Sequence, residues 1–587
     1  MTQTEWTVRE ADPERVRAIA LEHRLPELAA RLLVLRGIDD EEVAGHLERS
    51  AHALHEPESM PGMGAACERL ERALRDRETI LIHGDYDVDG VTGTSLLMRC
   101  LRLLDADVHW HIPNRLTDGY SFGAHSLDRA RATGATLGIS VDNGTSAFET
   151  IAALADAGVD TIVTDHHEPP LPHPEFGALP PAAAIVNPKL PDSTYPWREL
   201  CGGAVAFKLA WGLAKHLSGN EKATPTMRKF LSEAMAYVAI ATICDVVPMR
   251  DENRVFAWWG LKALRSAEHP GLRALCEVAR IDGRPLTPDD VGFQIGPRIN
   301  ASGRLGSAES AVELLLADDI RTARDRAAHL DQLNHERRRI EREVHAQARE
   351  QAAAQIERDD PPVLVVADQG WHQGVVGIVA SRLTEEFGRP SIVIGLDGAE
   401  GRGSARTVPG FDVLSAMRGA DGLFERYGGH AQAAGCEVRE DRLDDVRRAI
   451  WDHAASLQGD EGPSALALQI DAEIDFAQMT PTLMRQLDRL EPFGAGNEKP
   501  VLLSRDLRLA EEPRQIGHER RHLMLRVRRG AHVLKAMAFG AADRVGELRM
   551  GAPLELVYNP RWNTFRGETN LELQALDFRC GEATRGN

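Results

Sequence analysis

The chain has 587 residues, more than one hydrophobic core usually organises, so several domains are expected. It is 43% hydrophobic, 27% charged and only 5% aromatic, a globular composition in which aliphatic side chains must build the cores. A net charge of -20, from 69 basic and 89 acidic residues, excludes a generic polycation that coats nucleic acid. It leaves room for local basic grooves and for carboxylates gathered round a divalent cation. No run approaches the roughly 18 apolar residues of a membrane span. The 7 cysteines are scattered and form no Cys-x-x-Cys pair, which argues against a disulfide scaffold or a thiolate zinc site. The first six residues show neither the basic nor the apolar region of a secretion leader, so a reducing cytoplasm is expected.

In chain order, residues 1–70 read as helical and carry no evident chemistry. Residues 78–83 are a short apolar run ending in polar side chains, the pattern of a buried strand. A helix follows over about 92–104. Further strands are expected at 107–111, 136–141 and 160–164, with a helix near 146–157. Alternating strands and helices imply a parallel sheet covered on both faces. A proline-rich loop spans 169–196, and helical pattern then dominates to about 317. Residues 321–357 have no Gly or Pro and are crowded with Arg, Glu and Ala, the pattern of a solvated amphipathic helix acting as a connecting rod. A second α/β block starts at Pro362 and runs to about 460. Short alternating runs from about 465 to 578, such as 522–527, read as a small β barrel or sandwich.

The most informative stretch is 83–90, HGDYDVDG, between a strand and a helix. In an open parallel sheet, ligands bind beyond the carboxyl ends of the strands. His83, Asp85, Asp87 and Asp89 within seven residues are costly through mutual repulsion, and a cation offsets that cost. The bland reading is a solvated turn or a calcium loop; a calcium loop usually lacks the His and continues to a distal bidentate Glu. Three more segments end elements with the same residue types: Asp142 in 141–144, Asp165-His166-His167 in 164–168, and Asp245 in 243–247. Singly, each passes as a turn or a cap. Together they supply ligands for two divalent cations, and mixed Asp/His ligation suits Mn²⁺ or Mg²⁺.

Asp165-His166-His167 is the signature of the DHH phosphoesterase superfamily. His83, Asp87, Asp89, Asp142, His166 and Asp245 match its metal ligands in chain order. Longer strings resemble, within it, the RecJ family of single-strand-specific 5′→3′ exonucleases: 83–94 (HGDYDVDGVTGT), 114–120 (NRLTDGY), 296–304 (GPRINASGR), 371–380 (WHQGVVGIVA) and 428–435 (GGHAQAAG). The resemblance covers nearly everything from residue 55 onward. One departure is Ala405, in 403–406, where the family usually has Gly.

The resemblance implies an α/β protein. A parallel-sheet DHH domain (71–318) follows an N-terminal helical region (1–70). A connecting helix (319–358) leads to a smaller DHHA1 domain (359–462) and a C-terminal OB-like β-barrel (463–587). By the same resemblance Asp142 bridges two cations, His83 and Asp87 complete one site, and Asp89, His166 and Asp245 the other. Asp85 supports the ligand loop, Asp165 orients a histidine, and His167 faces the scissile phosphate. Attack at phosphorus with departure of the 3′ oxygen releases a nucleoside 5′-monophosphate. Arg115, Ser404 and Arg406 are the implied clamp on the 5′ phosphate, a task suited to arginine's bidentate bonds. Arg298, Asn300 and Arg304 are expected along the strand path, and Gly429 and His430 near the product phosphate. In the barrel, Arg520, Arg521, Arg526, Arg528 and Arg529 are candidates for phosphates and Trp562 and Phe565 for bases, with ordinary barrel packing the competing reading for both rings.

The implied partners are single-stranded DNA, a single-strand-binding protein and a helicase, with a monomer acting away from membranes. Three alternatives compete: a DHH phosphodiesterase for short oligonucleotides or cyclic dinucleotides, a non-catalytic replication scaffold, and an inorganic pyrophosphatase. The first usually lacks the barrel and the 296–304 string, the second need not keep a costly ligand set, and the third is much shorter. Because the expected ligands precede residue 250 and the expected clamp precedes 436, chemistry is expected to survive loss of everything after about 465, provided the remaining domains fold.

Overall fold

The computed structural model describes residues 5–114, 122–219, 222–457, 467–565 and 568–581. Arg115 lies outside the described residues, as does the side chain of Phe565.

Five parallel strands form the first sheet, in the spatial order Val108–His111, Ile80–Gly84, Leu137–Val141, Asp160–Thr164, Ala184–Val186. Their apolar runs follow from burial on both faces. Ile80 and Ile82 join a core made with the helices Val88–Leu103, Gly202–His216 and Pro225–Cys244, whereas Leu81 joins one on the opposite face with Ala130, Ile151 and Leu154. The register aligns Gly84, Val141 and Thr164 in one rung. Asp85, Asp142 and Asp165 therefore leave the sheet together at its carboxyl edge.

The rod is the helix Ile320–Asp359, 40 residues and about 60 Å long at 1.5 Å per residue, capped by Asp319, which accepts from the Thr322 amide. It is not simply solvated. Ala323, Ala327, Leu330, Val344, Ala348 and Ala352 form a buried stripe. Its first half packs on Pro270–Ala279 and Gly296–Leu305, its second on Val376–Phe387. Buried Glu341 takes Arg337 at 2.5 Å and is paired with Arg382 across to the second domain. That domain is a mixed five-stranded sheet in the order Arg426–His430, Ala433–Arg439, Glu400–Arg406, Ser391–Asp397, Leu364–Gln369, parallel only in the last pair.

The C-terminal strands close into a barrel: Leu502–Leu509, Leu554–Phe565, Glu568–Cys580, His532–Ala538 and His522–Arg529, which pairs back onto the first through Arg508↔Arg528 and Leu509↔Val527. Five strands with one parallel pairing is the OB-type closure.

Further expectations change here: the strand Ala184–Val186 lies within 169–196, a stretch that reads as a loop. The first 70 residues are not only helical: Trp6–Val8 is a strand paired in parallel with Leu468–Ile470, and the Trp6 indole donates to Asp577 at 2.8 Å. Nor is the C-terminal part separable. Leu487, Leu490 and Phe493 complete the core of the helices Pro13–Glu22 and Glu27–Leu35. The buried Arg254 guanidinium donates to the carbonyls of Leu490 (2.9 Å), Glu491 (3.0 Å), Pro492 (3.3 Å) and His46 (2.9 Å). The Met249 amide donates to Ala495 at 2.6 Å. The two ends of the chain thus share one core and brace the segment that follows Asp245.

Candidate metal centre and strand-binding residues

Each carboxylate in the centre is aimed by local backbone. Asp87 caps the helix Val88–Leu103, accepting from the amides of Asp89 (2.9 Å) and Gly90 (3.2 Å). Asp89, on the first turn, accepts at 2.6 and 2.7 Å from the amides of Gly202 and Gly203, at the start of another helix. Both glycines are steric necessities. A Cβ on Gly202 would fall 2.6 Å from that of Asp142, and one on Gly203 2.8 Å from that of Ala241. Asp142 follows its strand in a left-handed conformation, φ 64°, while its amide stays bonded to the Thr164 carbonyl at 2.9 Å. Asp245 caps the carboxyl end of Pro225–Cys244.

These elements converge on His166. Its Nε2 lies 3.1 Å from Asp142 Oδ1, 3.7 Å from Asp245 and 3.8 Å from Asp89. Asp89, His166 and Asp245 offer ligand atoms all within 4.8 Å of one another, as do Asp85, Asp87 and Asp142. Asp142 Oδ1 is buried with no hydrogen-bond partner, although such an atom is expensive to leave unpaired. An orphaned oxygen at the junction of two oxygen- and nitrogen-donor sets fits a pair of hard divalent cations. Asp142 also groups with His166 and His167, so the two donor sets meet where Asp142 Oδ1 faces His166 Nε2. Asp85 stands among the ligand atoms as well as supporting the loop.

Asp165 works behind the ligands. One of its oxygens accepts from the amides of His166 (2.8 Å) and His167 (3.2 Å) and contacts His167 Nδ1 at 2.8 Å; the other takes the Thr145 amide at 2.9 Å. Asn187 braces the same loop, donating to Thr145 Oγ1 and the His167 carbonyl. His83 Nδ1 sits 3.1 Å from Ser126 Oγ, and its ligand atoms group with His111 and His125 rather than with the aspartates.

Burial, and then the charges of Asp89 and Asp87, hold the Asp142 carboxyl well above the ordinary carboxylate range and push Asp245 up to about 9. Burial works to lower His167, but the bond to Asp165 and its charge outweigh it and raise the imidazole to about 9. A group raised in the folded state stabilises fully below its unfolded pKa and loses that stabilisation as pH rises through the folded value. Between 3.8 and about 9 the cation-free fold must therefore weaken, because the unfolded chain releases the Asp245 proton that the fold retains. Cations remove that cost. The rise in Tm produced by Mn²⁺ over EDTA should accordingly grow with pH across this window, as scanning calorimetry would show; a pH-independent rise would mean the cations bind elsewhere.

The second domain contributes one sheet face. Ser404 and Arg406 are two apart on Glu400–Arg406, and the register sets Arg406 beside Ala433 and His430, and Ser404 beside Gly435 and Gly428. Arg406 Nη1 donates to Ser404 Oγ at 2.8 Å, so the pair is preset as a unit. Ser404 and Arg406 abut the start of the helix Val376–Phe387, where a Cβ on Gly377 would fall 3.1 Å from Ser404 Oγ and 3.2 Å from Arg406 Nη2, while His430 is exposed. Gly429 belongs to the other face, with φ 141° and the Ala433 carbonyl 2.5 Å from any Cβ it would carry, so its part is backbone shape.

Some expected strand contacts are engaged in holding the fold. Arg298 is buried, bonded to Asp331 of the connecting helix at 2.9 Å and to the Gln294 carbonyl at 2.6 Å, and so does not line an open path. Arg304 spans to the Gly374 carbonyl of the second domain at 3.0 Å. Asn300 is half-buried on the same helix. Trp562 packs against the barrel core and donates to Asp488, so the packing reading holds for that ring. In the barrel, Arg521 pairs with Glu519 and Arg529 with Asp475. Arg526 and Arg528 are exposed on alternate positions, and Arg528 sits directly opposite Arg508, a like-charge neighbour that an anion would relieve. Gly202, Gly203, Ser126, Thr145 and Asn187 escape a reading of the sequence; only the Gly202-Gly203 pair opening an apolar helix offers a signal.

The domain models for the DHH family N-terminal domain, the DHHA1 domain and the RecJ OB domain match residues 79–242, 360–456 and 470–577. The chain is 34% identical over 582 residues to the single-stranded-DNA-specific exonuclease RecJ of Bacillus subtilis, covering 98% of this chain and 71% of that protein. It is 35% identical over 568 residues to that of Dickeya dadantii, covering 94% and 95%. A crystal structure of RecJ with Mn²⁺ from Thermus thermophilus superimposes with a TM-score of 0.80 at 30% identity, over 100% of this chain and 81% of that one. A second, with Mg²⁺, gives 0.75 over 99% and 79%. Relatedness that runs through all three domains, and not through the metal motifs alone, places this chain in the RecJ family of single-stranded-DNA-specific exonucleases.

Proposed function

We propose that the protein is a Mn²⁺- or Mg²⁺-dependent exonuclease that trims single-stranded DNA from its 5′ end to nucleoside 5′-monophosphates, in DNA repair and recombination. The observation that carries this reading is the convergence of Asp89, Asp142 and Asp245 on His166 Nε2, with Asp142 Oδ1 left unpartnered. Two divalent cations held by these residues would acidify a water and offset charge on the entering and leaving oxygens of an in-line displacement.

The chain's own residues do the rest. Asp87, Asp89, Asp142, His166 and Asp245, with Asp85 beside them, would hold the cations; the family resemblance adds His83, whose ring is grouped here with His111 and His125. Asp165 fixes His167 through Nδ1, which leaves Nε2–H to donate to a non-bridging phosphate oxygen as negative charge builds. Arg406 and Ser404 grip the terminal phosphate from the facing domain, with Arg115 as a third contact and His430 on the same face. Arg304 and Asn300 lie on the helix between the two domains. The barrel's exposed Arg508, Arg526 and Arg528 hold the trailing strand by its phosphates.

No helix among the described residues is long and apolar enough to cross a membrane. The family resemblance extends the proposal to a monomer in the cytoplasm, fed by a helicase and a single-strand-binding protein.

Discrimination at the strand end tests the clamp. A charge-assisted bond contributes roughly 1.5–3 kcal/mol, so Arg406→Ala should cut the preference for a 5′-phosphate over a 5′-hydroxyl strand by about tenfold or more. The kcat/KM ratio on the two substrates reads this directly. Equal losses on both would remove Arg406 from end recognition. The alternative, a phosphodiesterase for short oligonucleotides or cyclic dinucleotides, predicts no gain in kcat/KM with strand length; the barrel is the feature that disfavours it.

A further inference from the structure

Three histidines stand behind the centre. His83 lies near the end of the strand Ile80–Gly84 and is registered directly against His111, which ends the neighbouring strand Val108–His111. His125 reaches the same place from the first turn of the helix Ala124–Thr133. The ring centroids lie 5.1 Å (His83–His111), 5.3 Å (His83–His125) and 5.4 Å (His111–His125) apart. One ring nitrogen from each lies within 4.8 Å of one from both others. His83 is 1% exposed and His111 5%. We propose that His83, His111 and His125 form a third cation site, taking a divalent transition ion of the zinc class, separate from the hydrolytic pair except for the shared His83.

Packing is the bland account, since Phe122 also meets His83 edge-on at 4.7 Å. Packing alone is better served by aliphatic side chains, because a buried imidazole carries two polar nitrogens that need partners. His83 Nε2 is buried without a hydrogen-bond partner, while Ser126 Oγ holds Nδ1 at 3.1 Å. That is the arrangement in which an outer group fixes the ring of a metal-ligating histidine. Three imidazoles and an open fourth position form a familiar zinc donor set, with Zn–N of about 2.0–2.1 Å. The donor chemistry also separates this site from its neighbour: three nitrogens favour Zn²⁺, Co²⁺ or Ni²⁺, whereas the carboxylate-rich centre suits Mg²⁺ or Mn²⁺. Filling the triad would withhold His83 from the hydrolytic pair. That consequence rests on the nuclease reading above; occupancy of the triad does not.

The test is cobalt binding to the metal-stripped full chain, measured by equilibrium dialysis and by the visible d–d absorption of nitrogen-ligated Co²⁺. The wild type is compared with His111→Gln/His125→Gln and, in case the double variant fails to fold, with His125→Gln alone. The wild type should take up one more equivalent than either variant, with a band that Zn²⁺ abolishes and that the variants lack. The variants should keep their Mg²⁺-dependent cleavage. Equal stoichiometry and spectra would overturn the proposal. So would loss of Mg²⁺-dependent cleavage in a well-folded variant, which would assign His111 and His125 to the hydrolytic centre itself. Because cobalt uptake is read without DNA, failure of the nuclease reading would leave the result intact.

Discussion

Replacing Asp142 by Ala should abolish cleavage while leaving strand binding nearly unchanged. Asp142 groups with Asp85 and Asp87 and also with His166 and His167, and its Oδ1 is buried without a hydrogen bond. Metal stabilisation of the displacement contributes several kcal/mol, so turnover should fall by about a thousandfold or more. Affinity for a single strand, read by fluorescence anisotropy, is expected to depend instead on the arginines proposed above in the second domain and the barrel. The same substitution should raise the Tm of the cation-free protein. Burial and the neighbouring Asp89 and Asp87 make the Asp142 charge costly in the absence of a cation. Asp142→Asn, which keeps the shape, should show both effects. Near-normal turnover with saturating Mn²⁺ would sink the bridging assignment.

The second large effect concerns the ends of the chain. A chain stopped at residue 466 should lose its N-terminal helices as well as its barrel. Leu487, Leu490 and Phe493 are part of the core of those helices, and each such side chain contributes roughly 1.5–3 kcal/mol on burial. The Trp6–Val8 strand loses Leu468–Ile470, its only paired neighbour among the described residues. Limited proteolysis should then cut within residues 5–50, and the thermal transition should broaden. Removing both ends together, to leave residues 50–457, should restore a cooperative transition and retain cation-dependent cleavage of short strands. Protected N-terminal helices in the one-sided truncation would show that the shared core is dispensable.

Four of the five strands of the first sheet are legible in the sequence; the fifth, Ala184–Val186, lies in a stretch that reads as a proline-rich loop. The three central strands Ile80–Gly84, Leu137–Val141 and Asp160–Thr164 are almost wholly buried, and Asp85, Asp142 and Asp165 follow them directly. What the sequence hides is what depends on distant pairing. Gly202 and Gly203 act through close approach to Asp142 and Asp89, from more than 50 residues away. The bond from Trp6 to Asp577 joins residues 571 apart, and no periodicity reports it. Arg298 reads as a strand contact because arginine suits phosphate, yet the same guanidinium serves equally well to tie one helix to another. Trp562 is open to two readings in the sequence, and only the position of Asp488 decides between them. His111 and His125 lie in no recognisable motif and meet His83 only in three dimensions.

The most direct measurement follows a long single strand labelled at either end, with Mn²⁺, Mg²⁺ and EDTA compared. The account predicts early release of the 5′ label as a mononucleotide, late release of the 3′ label, support by either cation and arrest by EDTA. First release from the 3′ end, or cleavage that continues in EDTA, would contradict it.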